Sequence, residues 1–183
     1  ESGAFPGVTS NHHLHAMAAL AVSLAEHLEF GRDYARATVR NARALAQALH
    51  DRGFDVLAAD LGFTRSHTLA VRVEREGGGE SVAQRLAAVG VIANKNLLPG
   101  DTSPKHPGGI RIGTPEVTRL GMGEREMVRV AEILDDLLHR GKPPEAVAAE
   151  VAELKAGFTT LRYCFAAGEA AYRYYDLVGR DPP

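Results

Sequence analysis

This 183-residue chain is short of four things: cysteine, lysine, long apolar runs and an excess of charge of either sign. One thiol, Cys164, excludes a disulfide framework or a cysteine zinc cluster within one chain. The 21 basic residues are interspersed with 23 acidic ones, giving a formal net charge of −2. A nucleic-acid binder needs a concentrated positive face, so that class is not expected. No apolar stretch approaches the roughly 20 residues of a membrane-spanning helix. The opening Glu1-Ser2-Gly3-Ala4-Phe5-Pro6-Gly7 also lacks the charged-then-apolar pattern of a secretory signal. These absences leave a soluble, cytoplasmic protein with neither membrane nor nucleic acid as partner as the expectation. Only four of the basic residues are lysines, Lys95, Lys105, Lys142 and Lys155, and the missing initiator Met reads as the mark of a fragment or processed piece.

What remains is an ordinary globular composition, 45% hydrophobic and 24% charged. At roughly 100–200 residues per domain, the length predicts one domain, or a small domain with helical extensions. Residues 11–29 read as a helix capped by Asn11, with Leu14, Ala18, Val22 and Ala25 on one face and Gly31 interrupting it. A second helix, Asp33 to Asp51, carries Ala37, Ala44, Leu45, Ala48 and Leu49 on one face and Arg32, Arg36, Arg40 and Arg43 on another.

The period then shortens. Asp55–Ala58 is a strand candidate, and His67, Leu69, Val71 and Val73 alternate as a half-buried strand would. A glycine turn at residues 76–79 precedes a short helix, Glu80 to Val89, closed by Gly90. Val91–Ala93 reads as a core strand, Asn94-Lys95-Asn96 as a solvated turn, and a Pro/Gly-rich loop over 98–109 leads into a strand at Ile110–Gly113. Helices follow at 123–140 and 145–156, with an aromatic-bearing helical stretch on to Tyr175. The order α-α-β-β-α-β-β-α predicts an α+β fold, a small sheet packed against helices.

Chemistry can reside in few places. His12, His13 and His15 do not share one helix face and lack further ligands, so no metal site is expected. Thr114 is positioned to cap a helix begun by Pro115. Arg111, between Ile110 and Ile112, alternates out of the core toward the loop. Its fork suits either a bound carboxylate or a structural ion pair, and residue physics leaves the two readings level.

The order of motifs adds to this. Phe5-Pro6-Gly7, His15 leading an Ala-rich helix, Asn41-Ala42-Arg43-Ala44-Leu45-Ala46, Ser66-His67, Asn94-Lys95-Asn96, Pro99, Ser103-Pro104 and Gly109-Ile110-Arg111-Ile112-Gly113-Thr114-Pro115 resemble the C-terminal part of serine hydroxymethyltransferase, over about residues 4–138. The resemblance implies the C-terminal domain of a fold type I pyridoxal-phosphate enzyme, with long helices before it. Residues 1–30 would be a remnant of the large cofactor domain and connecting helix, 31–140 the small domain, and 141–183 a helical extension. The family moves a one-carbon unit between serine and tetrahydrofolate and works as a dimer. By resemblance, Arg111 binds the amino-acid substrate's α-carboxylate and Asn96 contacts folate, while Ser103 and Pro104 lie in the loop nearing that pocket.

Two departures stand out. Thr9-Ser10-Asn11-His12 occupies the place of the family's Gln-Gly-Gly-Pro, so Ser10 and Asn11 are the candidates for holding the cofactor phosphate. Lys105-His106-Pro107 replaces an aromatic residue and small neighbours in the acceptor loop. Both are expected of a relative that keeps the amino-acid half of its site and alters the acceptor half, as folate-independent threonine transaldolases do. That reading is ranked ahead of serine hydroxymethyltransferase proper, with a non-catalytic dimerisation module behind both. In the family the Schiff-base lysine lies upstream of Phe-Pro-Gly, and none of the four lysines here matches it, so this chain by itself is expected to be inactive, with no catalytic residue of its own.

Overall fold

The structure is a computed structural model and describes residues 3–9, 11 and 13–172. After a wide turn at Gly3–Val8 come α1 (Leu14–His50), β1 (Asp55–Val56), β2 (Thr68–Arg72), α2 (Gly78–Ala88), β3 (Asn94–Asn96), β4 (Gly109–Gly113), α3 (Pro115–Arg119), α4 (Glu124–Leu138) and α5 (Pro144–Ala156). The strands form one antiparallel sheet in the order β1-β2-β4-β3.

Alternation dictates the layering. Leu69 and Val71 of β2, Ile110 of β4 and Val56 of β1 point to one side, where they meet Leu45, Leu49, Val82, Leu86, Met127 and Leu134 from α1, α2 and α4. The Ala-rich stripe of α1, with Ala42, Ala46 and Ala48 buried, lets α4 approach closely. Asn41 fastens this layer: its buried amide donates to Thr118 Oγ1 and to the Met122 carbonyl, both at 2.9 Å. On the other face of the sheet, carrying Thr68, Ala70, Arg72, Asn94, Asn96 and Arg111, Asn94 and Arg111 are exposed, and among the described residues the helices pack on the opposite side.

Several elements differ from the sequence reading. The two expected helices are one helix of 37 residues that runs straight through Gly31. A glycine costs a helix about 1 kcal/mol against alanine, and the good helix formers on both sides carry the hydrogen bonding across it. The N-cap position is His13, not Asn11, and no side chain caps it. The face that carries Leu14, Ala18, Val22 and Ala25 is open: Leu14 and Val22 are exposed, as are Met17, Leu20, Leu24 and Leu28.

The expected strand at Val91–Ala93 lies three residues later, on Asn94-Lys95-Asn96, which is therefore no solvated turn. An edge strand needs no apolar residues to pair, and a polar one resists pairing with other chains. β1 stops at Val56 because Ala58 turns left-handed (φ 59°). Thr114 sits at the N-cap of α3, yet its hydroxyl accepts no amide hydrogen from that helix and instead donates across to the Thr38 carbonyl of α1 at 2.9 Å.

Residues 157–172 are turns with a Thr160–Ala170 bridge, not helix. Glycines at 157 and 168, the latter at φ 91°, break the helical path. This segment folds back on α1, with Tyr163 against Tyr34 and Phe165 against Phe30, ring centres 5.4 and 5.6 Å apart. Tyr174 and Tyr175 lie outside the described residues.

Candidate functional site: an arginine on the open face of the sheet

Arg111 occupies the middle of β4, exposed, opposite Ala70 of β2 and Asn94 of β3. Its strand neighbours on the same face, Gly109 and Gly113, have no side chains to crowd it. The small surroundings leave room around the guanidinium. The ion pair weighed for Arg111 does not form: among the described residues no carboxylate comes within 4.0 Å of its nitrogens. Arg72, on the same face, is the contrast. Its nitrogens lie 3.6 Å from Asp55, 3.4 Å from Glu74 and 4.0 Å from Asp101.

The loop joining β3 to β4 closes one end of this face. Asp101 organises it, Oδ2 accepting the amide hydrogens of Leu98 and Gly108, both at 2.8 Å. These two bonds, first Leu98 and then Gly108, hold its carboxyl below the usual aspartate range, with Arg72 adding to the effect. Leu98 is thereby turned inward over Gly109, where a Cβ would lie 2.4 Å from its side chain. From below, Gly79 at the start of α2 meets the loop's exit. A Cβ there would stand 2.2 Å from the Gly109 carbonyl oxygen and 2.9 Å from that of Pro107. Gly79 N–H donates to the Pro107 carbonyl at 2.8 Å.

The other site candidates divide. Asn96 shares the face of Arg111, two residues along β3, its amide donating to the Leu97 carbonyl at 2.7 Å. Ser103, Pro104, Lys105 and His106 ride the loop; the last three are exposed, and Ser103 Oγ accepts from Lys105 N–H at 3.3 Å. Asn11 is not brought to this face. It is exposed beyond the N-terminus of α1, and from Leu14 to Ala37, the first buried residue of that helix, the axis runs about 35 Å. Ser10 and His12 lie outside the described residues. Asp101 is not among the candidates that the sequence singles out; its signal is an acidic side chain directly after Pro99-Gly100, a residue type that bonds nearby backbone amides in turns.

The lysines are spent elsewhere. Lys95 points through to the helical side and pairs with Glu80, and Lys142 is held by Asp136 and Glu150. Lys155 lies on α5 and Lys105 on the loop, so none of the four stands on the open strands beside Arg111. Among the described residues no three His, Cys, Asp or Glu side chains group as a metal site, and no helix is long and apolar enough to cross a membrane.

A four-stranded α+β domain whose open face carries, among the described residues, an arginine without a carboxylate partner, with a braced loop beside it, is the class of architecture this defines. Residues 1–134 match the family model for serine hydroxymethyltransferase. Serine hydroxymethyltransferase of Thermoplasma acidophilum is 49% identical over 176 residues, 95% of this chain and 41% of that protein. That of Korarchaeum cryptofilum is 51% identical over 174 residues, 93% of this chain and 40% of that protein. A crystal structure of L-threonine transaldolase from Pseudomonas fluorescens superposes with a TM-score of 0.79 at 32% identity, over 88% of this chain and 37% of that one. The chain belongs to the serine hydroxymethyltransferase family, with the fold of the fold type I pyridoxal-phosphate class. It spans about two fifths of the length of the curated relatives it matches.

Proposed function

We propose that this chain is the amino-acid-binding portion of a pyridoxal-phosphate enzyme that breaks and remakes the Cα–Cβ bond of a β-hydroxy amino acid. The observation that carries the proposal is Arg111, exposed and unneutralised among small residues on an otherwise uncovered sheet face. Its role is to take the substrate α-carboxylate in two charge-assisted hydrogen bonds, each worth about 1.5–3 kcal/mol, which suffices to fix orientation. The cofactor, when bound, supplies the sink for the electrons released at Cα. The lysine that holds it is assigned to residues outside this chain, and Ser10 and Asn11 to its phosphate, from across a homodimer interface in the cytoplasm. The exposed Leu14, Met17, Leu20, Leu24 and Leu28 support such pairing.

Two acceptors compete. Identities of 49–51% to hydroxymethyltransferases over nearly the whole chain, against 32% to a transaldolase, favour serine and tetrahydrofolate, with Asn96 toward the folate. The Lys105-His106 substitution favours instead an aldehyde acceptor and threonine as donor, the reading ranked first from the sequence alone. Comparing serine plus tetrahydrofolate with threonine plus an aldehyde, in a protein that carries this segment at the family's full length, decides between them; neither reaction occurring sinks the proposal. The chain alone, mixed with pyridoxal phosphate, is expected to give no stable protein-bound absorbance near 410–430 nm, roughly the range of a lysine-bound cofactor.

A further inference from the structure

On the helical side of the domain, away from the open sheet face, α1, the 61–65 segment and the start of α4 border an open groove of about 570 Å³. Its lining includes Arg40, Arg43 and Arg65, with Phe63 as an aromatic wall and Glu124 as its single carboxylate. Three guanidinium groups against one carboxylate leave two positive charges in excess. None of these residues belongs to the face that carries Arg111.

The arginines are only partly engaged. Arg40 Nε lies 3.3 Å from Glu124 in a pair that is 60% exposed on both sides, too solvated to neutralise the groove. Arg43 Nε donates to the Thr64 carbonyl at 2.8 Å, which fixes the side chain while its two terminal nitrogens remain free to donate to a ligand. Arg65 is exposed and, among the described residues, has no carboxylate within 4.0 Å.

The wall opposite α1 is strained. Ala58 and Phe63 both adopt left-handed backbone conformations, at φ 59° and 66°, with Gly62 between them at 77°. Non-glycine residues held in that region persist where the surroundings over-determine them, and they concentrate at ligand-binding segments. Here the strain sets Phe63 beside His50, ring centres 5.6 Å apart, and directs Thr64 and Arg65 to the groove's edge.

We propose that this groove binds a small polyanion bearing a di- or triphosphate group, held by the forks of Arg43 and Arg65 with Arg40 at the rim. One guanidinium fork donates two parallel hydrogen bonds to phosphate oxygens, and two forks side by side can hold adjacent phosphates of one polyanion. The site is independent of the amino-acid site.

Calorimetric titration of the chain with inorganic pyrophosphate and with ATP, at constant ionic strength, tests the assignment. Expected is saturable binding with a Kd below about 1 mM, weakened about tenfold by Arg65→Gln and by Arg40→Gln and unchanged by Arg75→Gln, which removes equal charge elsewhere. ATP binding tighter than pyrophosphate identifies a nucleotide with its base on Phe63; equal affinity identifies the phosphates alone, and both support the site. Absence of saturation at about 10 mM overturns it. Equal weakening by Arg75→Gln, or loss only with Arg111→Gln, also overturns it, as general charge attraction or binding at the sheet face. Thermal unfolding of each variant verifies that it is folded.

Discussion

Arg72 and Arg111 share one face of the sheet on adjacent strands, yet among the described residues only Arg72 is surrounded by carboxylates. One braces structure, and the other is the residue to which the proposed function gives the substrate carboxylate. Replacing Arg111 by alanine is therefore expected to change the stability of the chain by no more than about 0.5 kcal/mol, the usual range for an exposed side chain without partners. In an active full-length protein the same change should raise KM for the amino acid about a hundredfold or more, from the loss of two charge-assisted bonds. Thermal unfolding and steady-state kinetics check the two halves. A large stability loss would return Arg111 to a structural role.

Gly79 and Gly31 should respond oppositely to alanine. At Gly79 the new methyl meets backbone oxygens of Gly109 and Pro107, atoms that cannot swing aside. The loop that lies next to Arg111 has to shift, and Gly79→Ala should cost about 1–3 kcal/mol as overpacking does. At Gly31 the methyl meets only His27, at 3.6 Å or more, inside a continuous helix. Gly31→Ala should stabilise by about 0.5–1 kcal/mol, raising Tm by about 2–4 °C at most.

Asn41 is buried, and the Met122 carbonyl it satisfies terminates the turn between α3 and α4. Asn41→Ala strands that acceptor and removes one bond to the Thr118 hydroxyl, which keeps its own bond to the Thr114 carbonyl, and should cost about 1–3 kcal/mol in chemical denaturation. Asn41→Leu, closer in volume, should recover little of this loss, because volume does not replace the donor. Recovery to the parent midpoint would show that packing, not hydrogen bonding, is what Asn41 supplies.

These residues also show what could be read from sequence. The α+β class, the α2 helix, β2 and the exposure of Arg111 follow from period and alternation, which one strand or helix fixes by itself. The motif succession through Gly109–Pro115 was enough to point to the family. The errors came where neighbours decide. Gly31 reads as a stop because propensity is local, whereas helix continuation is cooperative. The strand at Asn94–Asn96 was hidden because an edge strand is defined by its partner β4, not by apolar residues. Leu14, Ala18 and Val22 share a helical face, but periodicity does not say whether anything in this chain covers it. Asp101 escaped because its two donors, Leu98 and Gly108, are brought together only by the loop's closure.

That closure should be sensitive to acid. The carboxyl of Asp101 is held below its ordinary value in the folded chain, by the Leu98 amide, then the Gly108 amide, and by Arg72. The folded state thus binds its proton more weakly than the unfolded state, so the stabilisation is complete above the ordinary aspartate value, about 3.9, and is lost as pH falls through the folded value below it. Hydrogen exchange at Leu98 and Gly108 should accordingly stay protected at neutral pH and, relative to the rest of the domain, lose protection first below about pH 3.9. Asp101→Asn, which keeps an accepting oxygen but not the charge, should retain part of the protection and remove its pH dependence, while Asp101→Ala should abolish both. Protection in the parent that does not change with acid until the whole domain unfolds would mean that the loop is held by Leu98 packing on Gly109 rather than by the carboxylate.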